Sequence, residues 1–309
     1  MHLLIPFAHC SSEGCSAALR SLKLPHLEKL LSRMKPESLD SGDEFSLSPP
    51  HERALARALG LPVADGKIAW AAAQARPAGG AWGFVTPCHW RAGTRQVAMG
   101  GSTLPDFSKQ ESQTLLAAMR PYFQEDGITL HYLEPNCWLA QSALFDGLAT
   151  ASLDRVVGRS IESWMPRGAS ATQIQRLQAE MQMLLYTHPV NDARSALGLP
   201  EANSFWLSGT GALLQTALQP VVETSPSVVS SLREAALTED WAAWALAWAT
   251  LDGTDCVTLL QSLDQDGTSQ LTLCGERSAQ TFCAGPRSLV NRFVGLFGAS
   301  QASTILEQL

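Results

Sequence analysis

The chain has 309 residues, 45% hydrophobic and 17% charged, a globular composition that excludes a disordered chain. Its net charge of −7 argues against broad binding to a nucleic-acid backbone. The opening MHLLIPFAHCSSEGC has no Lys or Arg before a short apolar run, and no apolar stretch of about 18 residues occurs. No secretion signal or membrane contact is therefore expected, and the expected location is the cytoplasm.

HLLIPF reads as a buried first strand. After a polar loop, LPHLEKLLSRM reads as a helix opened by Pro25, with Leu27, Leu30, Leu31 and Met34 on one face. ESLDSGDEFSLSPP has the acids, serines and prolines of a loop. HERALARALG is a helix with Gly60 as its C-terminal cap. ARPAGG, residues 75–80, marks a boundary. AWGFVTPCHW and QVAM then read as two strands joined by a turn at Gly93, followed by the helix KQESQTLLAAMRPYF and the strands GITLHYLE and NCWLAQ.

ASATQIQRLQAEMQMLLYTH is the longest expected helix, with Ile174, Leu177, Met181 and Leu184 or Leu185 as its buried stripe and Pro189 as its stop. VNDARSALGLPEAN reads as a loop. FWL, residues 205–207, reads as a strand entering the loop Ser208-Gly209-Thr210-Gly211, with ALLQTAL as the start of a helix. VVET is an expected strand. TEDWAAWALAWATLDG is a helix that places Trp241, Trp244 and Trp248 on one face, read as core. SQLTLCGE closes the strands and SLVNRFVGLFG is a last helix.

Strands alternating with helices predict an α/β protein with a mostly parallel sheet flanked by helices. Residues 1–80 would form the first part of this core, 81–145 a small inserted α+β unit, and 146–309 the remainder.

Strand, glycine loop and helix can hold a phosphate on exposed backbone N–H groups. Gly209 and Gly211 fit the first two glycines of a dinucleotide fingerprint, but position 214 is Leu, and no Gly-Lys-Ser/Thr of a Walker loop occurs. The alternative is that the glycines only permit a tight turn. The seven cysteines include no CxxC pair and read as reduced, mostly buried thiols. Cys10, Cys15 and His9 have the wrong spacing for a usual zinc finger.

The segment THPVNDARSALGLPEANSFWLSGTG, residues 187–211, resembles the archaeal-type cofactor-independent phosphoglycerate mutases of the alkaline-phosphatase superfamily. The matching residues are His188, Pro189, Asn191, Arg194, Gly198, Ala202, Asn203, Gly209 and Gly211. LPHLEKLLSRM, SLSPPHERALARALG and the Arg91-Ala92-Gly93 motif follow the same family's order, with Ser48 as the best counterpart of its nucleophile. The resemblance implies an alkaline-phosphatase-like core and, in 81–145, the family's inserted domain. It also implies Arg91 and Arg194 on a phosphate or carboxylate, Asn191 and Asn203 fixing the loop, and His188 as a donor beside Ser208, Gly209 and Gly211. His188 reads equally as a helix-end residue.

The family's reaction uses two divalent metals held by Asp and His. Here strand one leads into Pro6-Phe7-Ala8-His9-Cys10, Ser48 is followed by two prolines, and no histidine follows His188. The expectation is a protein without that metal site and without a cofactor, binding a small phosphorylated or carboxylate ligand or a protein partner. The alternative is an active mutase or phosphatase in which Asp252, Asp255 and Glu276 hold Mg²⁺ or Mn²⁺, with Ser48 catalytic. A third reading is a scaffold that meets a protein through its tryptophan face.

Overall fold

A computed structural model describes residues 1–75, 79–213, 225–266, 269–285 and 301–309. In chain order, β1 (His2–Ile5) leads to α1 (Glu13–Ser21), α2 (Pro25–Arg33), β2 (Met34–Ser41) and α3 (Pro50–Ala58). Next come α4 (Trp70–Gln74), β3 (Ala81–Cys88), the short β4 (Trp90–Ala92) and β5 (Val97–Met99), α5 (Lys109–Glu125), β6 (Thr129–Glu134) and β7 (Cys137–Gln141). α6 (Leu153–Val156), α7 (Ala169–Tyr186), α8 (Pro189–Ala196) and β8 (Ser204–Ala212) follow. The last part holds β9 (Ser227–Val228), α9 (Arg233–Leu237), α10 (Trp241–Gly253), α11 (Asp255–Asp266), β10 (Gln270–Cys274), β11 (Ser278–Ala284) and α12 (Gln301–Glu307).

The chain forms two compact units, Met1–Leu59 with Val222–Leu309, and Gly60–Val221. The first is built on a sheet ordered β2-β11-β10-β1-β9. β1 runs parallel to β10 and β9, whereas β11 is antiparallel to β10 and to β2. The second holds the sheet β6-β7-β3-β8, in which every pairing is antiparallel, and the hairpin β4-β5. The protein is therefore mixed α/β. The expected mostly parallel sheet is corrected: among the described strands only two pairings are parallel. Hairpin-like returns, β10 to β11 and β6 to β7, replace the helical crossovers that parallel neighbours require.

One face of the first sheet packs Leu3, Ile5, Leu271 and Leu273 against Leu27, Leu30 and Leu31 of α2, Trp244 and Trp248 of α10, and Leu259 of α11. On the other face Leu4, Cys274 and Ala279 meet Ala54 and Leu55 of α3. In the second unit, α5 and α7 supply Leu115, Met119, Phe123, Ile174, Leu177, Met181 and Leu185 to a core with Val85, Trp138, Phe205 and Leu207 of the sheet. The predicted stripe of the longest helix is thus buried, and Leu185 rather than Leu184 completes it.

Three local readings change. The stretch read as a loop after α2 begins with β2, an edge strand mostly exposed and paired to β11. Its Pro36 pairs with Phe282 beside a register slip; proline and charge are what an exposed edge tolerates. Pro189 does not merely stop α7 but opens α8 in the segment read as a loop. The expected loop at residues 208–211 lies inside β8. The expected helix start ALLQTAL, residues 212–218, has its first residue in β8 and lies outside the described residues from 214 on, as do the strand VVET and the helix SLVNRFVGLFG in full.

Candidate functional site

Between Trp82 and Phe84 of β3 stands the single residue Gly83, while β8 places Gly209 and Thr210 between the matching partners Ser208 and Gly211. This two-against-one register is a β-bulge, and Gly209 takes it with φ +60. A Cβ at Gly209 would lie 3.1 Å from the Cβ of Trp70, and one at Gly211 2.9 Å from that of Ala69. The glycines thus let the segment entering α4 lie against β8. Thr210 between them is fully buried and donates to the Leu148 oxygen at 2.7 Å. Ser208 is buried in the strand. The sequence shows glycines for close approach and for a phosphate loop alike, and only the partner strand separates the two.

The residues upstream form a clamp. His188 caps α8, its Nδ1 accepting the Val190 N–H at 3.2 Å. Burial, opposed by Asp192, lowers its pKa, which suits a neutral acceptor. Asn191 is buried and bonds the Leu185 and Ala202 carbonyls and the Ala202 N–H, each at 2.9 Å. Asn203 accepts from the Trp90 N–H at 2.7 Å and donates to the Trp90 carbonyl at 2.9 Å. Arg194 is 1% exposed. Its guanidinium donates to the carbonyls of Pro200 and Pro105, each at 2.8 Å, and to Glu111 at 3.1 Å, and lies over the Phe107 ring. Glu111 in turn caps α5 through Ser108. The structure therefore brings His188, Asn191, Arg194 and Asn203 into one neighbourhood, with the polar groups named here engaged by the protein itself.

Arg91 is different: it lies exposed on β4, in the hairpin. Ser48 belongs to the first unit, is buried just before α3, and its carbonyl accepts from Arg53 at 2.6 Å. The acids considered for a metal also have local duties. Asp252 accepts the His26 and Leu27 N–H groups at the start of α2, Asp255 accepts from Thr254, and Glu276 accepts the Ser11 N–H. Among the described residues, no group of three or more His, Cys, Asp or Glu is placed to hold a metal ion.

A second gathering, not foreseen as a site, lies at the C-terminal ends of β1 and β10, the edge where open α/β sheets bind ligands. Ala8 N–H donates to Cys274 O at 2.8 Å, tying the two loops together. Phe7 has φ +54, a left-handed conformation unfavourable for a bulky side chain. It is held by the Trp244 indole N–H on its carbonyl at 2.9 Å and by ring contact with His51; Trp248 holds the Ala8 carbonyl at 3.2 Å. Trp244 and Trp248 are core as expected, whereas Trp241 is half-buried. Beyond lie the buried His9 and the Cys10–Cys15 pair. All seven cysteines are free thiols, four of them buried.

No protein-family model matches the chain, and no curated protein matches it. Among solved structures it is similar to the cofactor-independent phosphoglycerate mutase from Thermoplasma acidophilum DSM 1728, at 15% identity and a TM-score of 0.39, over 98% of this chain and 94% of that one. It is also similar to the PH0037 protein from Pyrococcus horikoshii, at 11% identity and a TM-score of 0.43, over 92% of this chain and 87% of that one.

Proposed function

We propose that this chain is a phosphoglycerate-mutase-like protein that performs no phosphoryl transfer and acts by binding an anionic ligand or a protein partner. The loop after β1 carries the reading. Where the resembled family places an acidic metal ligand, this chain has Phe7 and Ala8, whose carbonyls are taken by two core indoles. Neither side chain can ligate a cation, so the donor chemistry there does not fit a two-metal centre. The mutase-like part rests on the ordered residues of the 187–211 segment. Within that segment the clamp makes Arg194 a structural cation, and exposed Arg91 becomes the residue proposed to meet an anion.

The test has two parts. ³¹P NMR of 3-phosphoglycerate with the protein and Mn²⁺ is expected to stay unchanged. Growth of a 2-phosphoglycerate or free-phosphate signal, lost in Ser48→Ala, would overturn the reading. Calorimetric titration with 3-phosphoglycerate in the absence of metal is expected to show binding that weakens about tenfold or more in Arg91→Ala, as loss of a charge-assisted contact implies. No heat in either protein would remove the small-anion form and leave the protein partner.

A further inference from the structure

Cys10 ends the loop after β1, and Cys15 lies in the first turn of α1, five residues later across the intervening Ser-Ser-Glu-Gly. The fold returns one onto the other. The backbone N–H of Cys10 donates to the Cys15 sulfur at 3.3 Å, and the Cys10 side chain hydrogen-bonds the same sulfur. Ser12, between them, caps the helix by accepting the Cys15 N–H at 3.1 Å, which fixes Cys15 at the end where backbone N–H groups favour negative charge. Cys15 is fully buried and Cys10 half-buried. Cys15 thus faces the interior, and Cys10 is the more exposed residue of the two.

We propose that Cys10 and Cys15 form a redox-active pair that a peroxide closes to an intramolecular disulfide. Cys10 is the entry sulfur. Once deprotonated, its thiolate attacks one oxygen of hydrogen peroxide, the O–O bond breaks, and Cys10 becomes a sulfenic acid while the released hydroxide takes up the proton the thiol gave up and leaves as a first water. The Cys15 sulfur then attacks the Cys10 sulfur. The S–S bond forms, the S–O bond breaks, and hydroxide leaves with the Cys15 proton as a second water. Two thiols are oxidised by two electrons and one peroxide is reduced to two waters.

The other thiols have different surroundings. Burial pushes Cys137 up to about 12 and raises Cys88, Cys256 and Cys274. The Cys15 thiol is instead held below its ordinary value by the hydrogen bonds from Cys10, against burial and Glu276. Cys137 and Cys283 share the half-buried class of Cys10 but are not described beside a second sulfur. They serve as internal controls.

The full-length native protein is treated with equimolar hydrogen peroxide, alkylated with N-ethylmaleimide at intervals, and digested with trypsin. The peptide ending at Arg20 contains Cys10 and Cys15 and no other cysteine. It is expected unalkylated and lighter by two hydrogens, appearing about tenfold faster than thiol loss at Cys137 or Cys283. In Cys15→Ser, provided its circular dichroism matches the parent, Cys10 is expected to stop at a sulfenic acid that dimedone traps. A wild-type bridge forming no faster than modification of the two controls would overturn the proposal. So would oxidation of Cys10 without any bridge. The wild-type time course decides the matter even if the variant fails to fold.

Discussion

Arg194 shows how a single residue changes meaning between sequence and structure. An arginine after His-Pro-x-Asn, before a glycine-bearing strand, reads as an anion ligand because guanidinium geometry suits phosphate. The same fork geometry suits backbone carbonyls. Here it joins Pro105, Pro200 and Glu111, so one side chain ties the end of α8 to the capped start of α5. The two roles predict different losses. Arg194→Ala should destabilise the protein by about 3–5 kcal/mol, because buried carbonyls and a carboxylate lose their donor together. Urea unfolding followed by tryptophan fluorescence measures it. A variant of parental stability that bound phosphoglycerate less well would instead restore the ligand role. Asn191 is of the same kind: its amide completes backbone pairing between the end of α7 and the turn before β8. No composition or spacing distinguishes such an amide from one that meets a ligand.

Helices and strands were legible where burial imposes a period. α2, α5, α7 and α10 carry apolar stripes at helical spacing, and β1, β3, β7 and β10 are apolar runs, so the sequence marks them. β2 escaped because an exposed edge strand has no apolar face to reveal it, and α1 because only Cys15 and Leu19 are buried in it. α8 escaped because its cap is a histidine, outside the usual Ser, Thr, Asp and Asn. That cap gives the element a pH dependence. Only neutral imidazole accepts at Nδ1, and the folded pKa lies below the ordinary 6.5. The folded state therefore binds fewer protons than the unfolded one in the window just below 6.5. The cap's contribution is full above that window and falls as pH drops through the folded value. His188→Ala should cost about 1 kcal/mol near pH 8. His188→Asn should keep most of the stability while flattening its slope with pH. Urea unfolding at a series of pH values, read as the difference from the parent, isolates His188 from His2 and His9, whose pKa values burial also lowers.

At the scale of the molecule, connectivity makes the two units unequal. The sheet of the first unit takes β1 and β2 from before residue 60 and β9, β10 and β11 from after residue 221. The first segment cannot pair its strands alone: β1 would lack β10 and β2 would lack β11, while the last segment keeps only the β10–β11 pair. The second unit is one continuous stretch. Among the described residues, its sheet, its hairpin and the core of α5 and α7 draw on none outside Gly60–Val221. A continuous segment that owns its core is the arrangement under which inserted domains fold independently. A fragment of residues 60–221 should therefore unfold cooperatively in urea and give a dispersed amide spectrum by NMR, with the Trp82, Trp138 and Trp206 indoles protected as their burial requires. Residues 1–59 alone should give a spectrum of unfolded chain. If the fragment 60–221 collapsed without dispersion, its core would depend on the flanking segments. The arginine and asparagine clamp would then have to be studied only in the whole protein. If it folds, Arg91 can be titrated with anions in a fragment that contains neither Ser48 nor the Cys10–Cys15 pair, separating the proposed anion site from the thiol chemistry of the other unit.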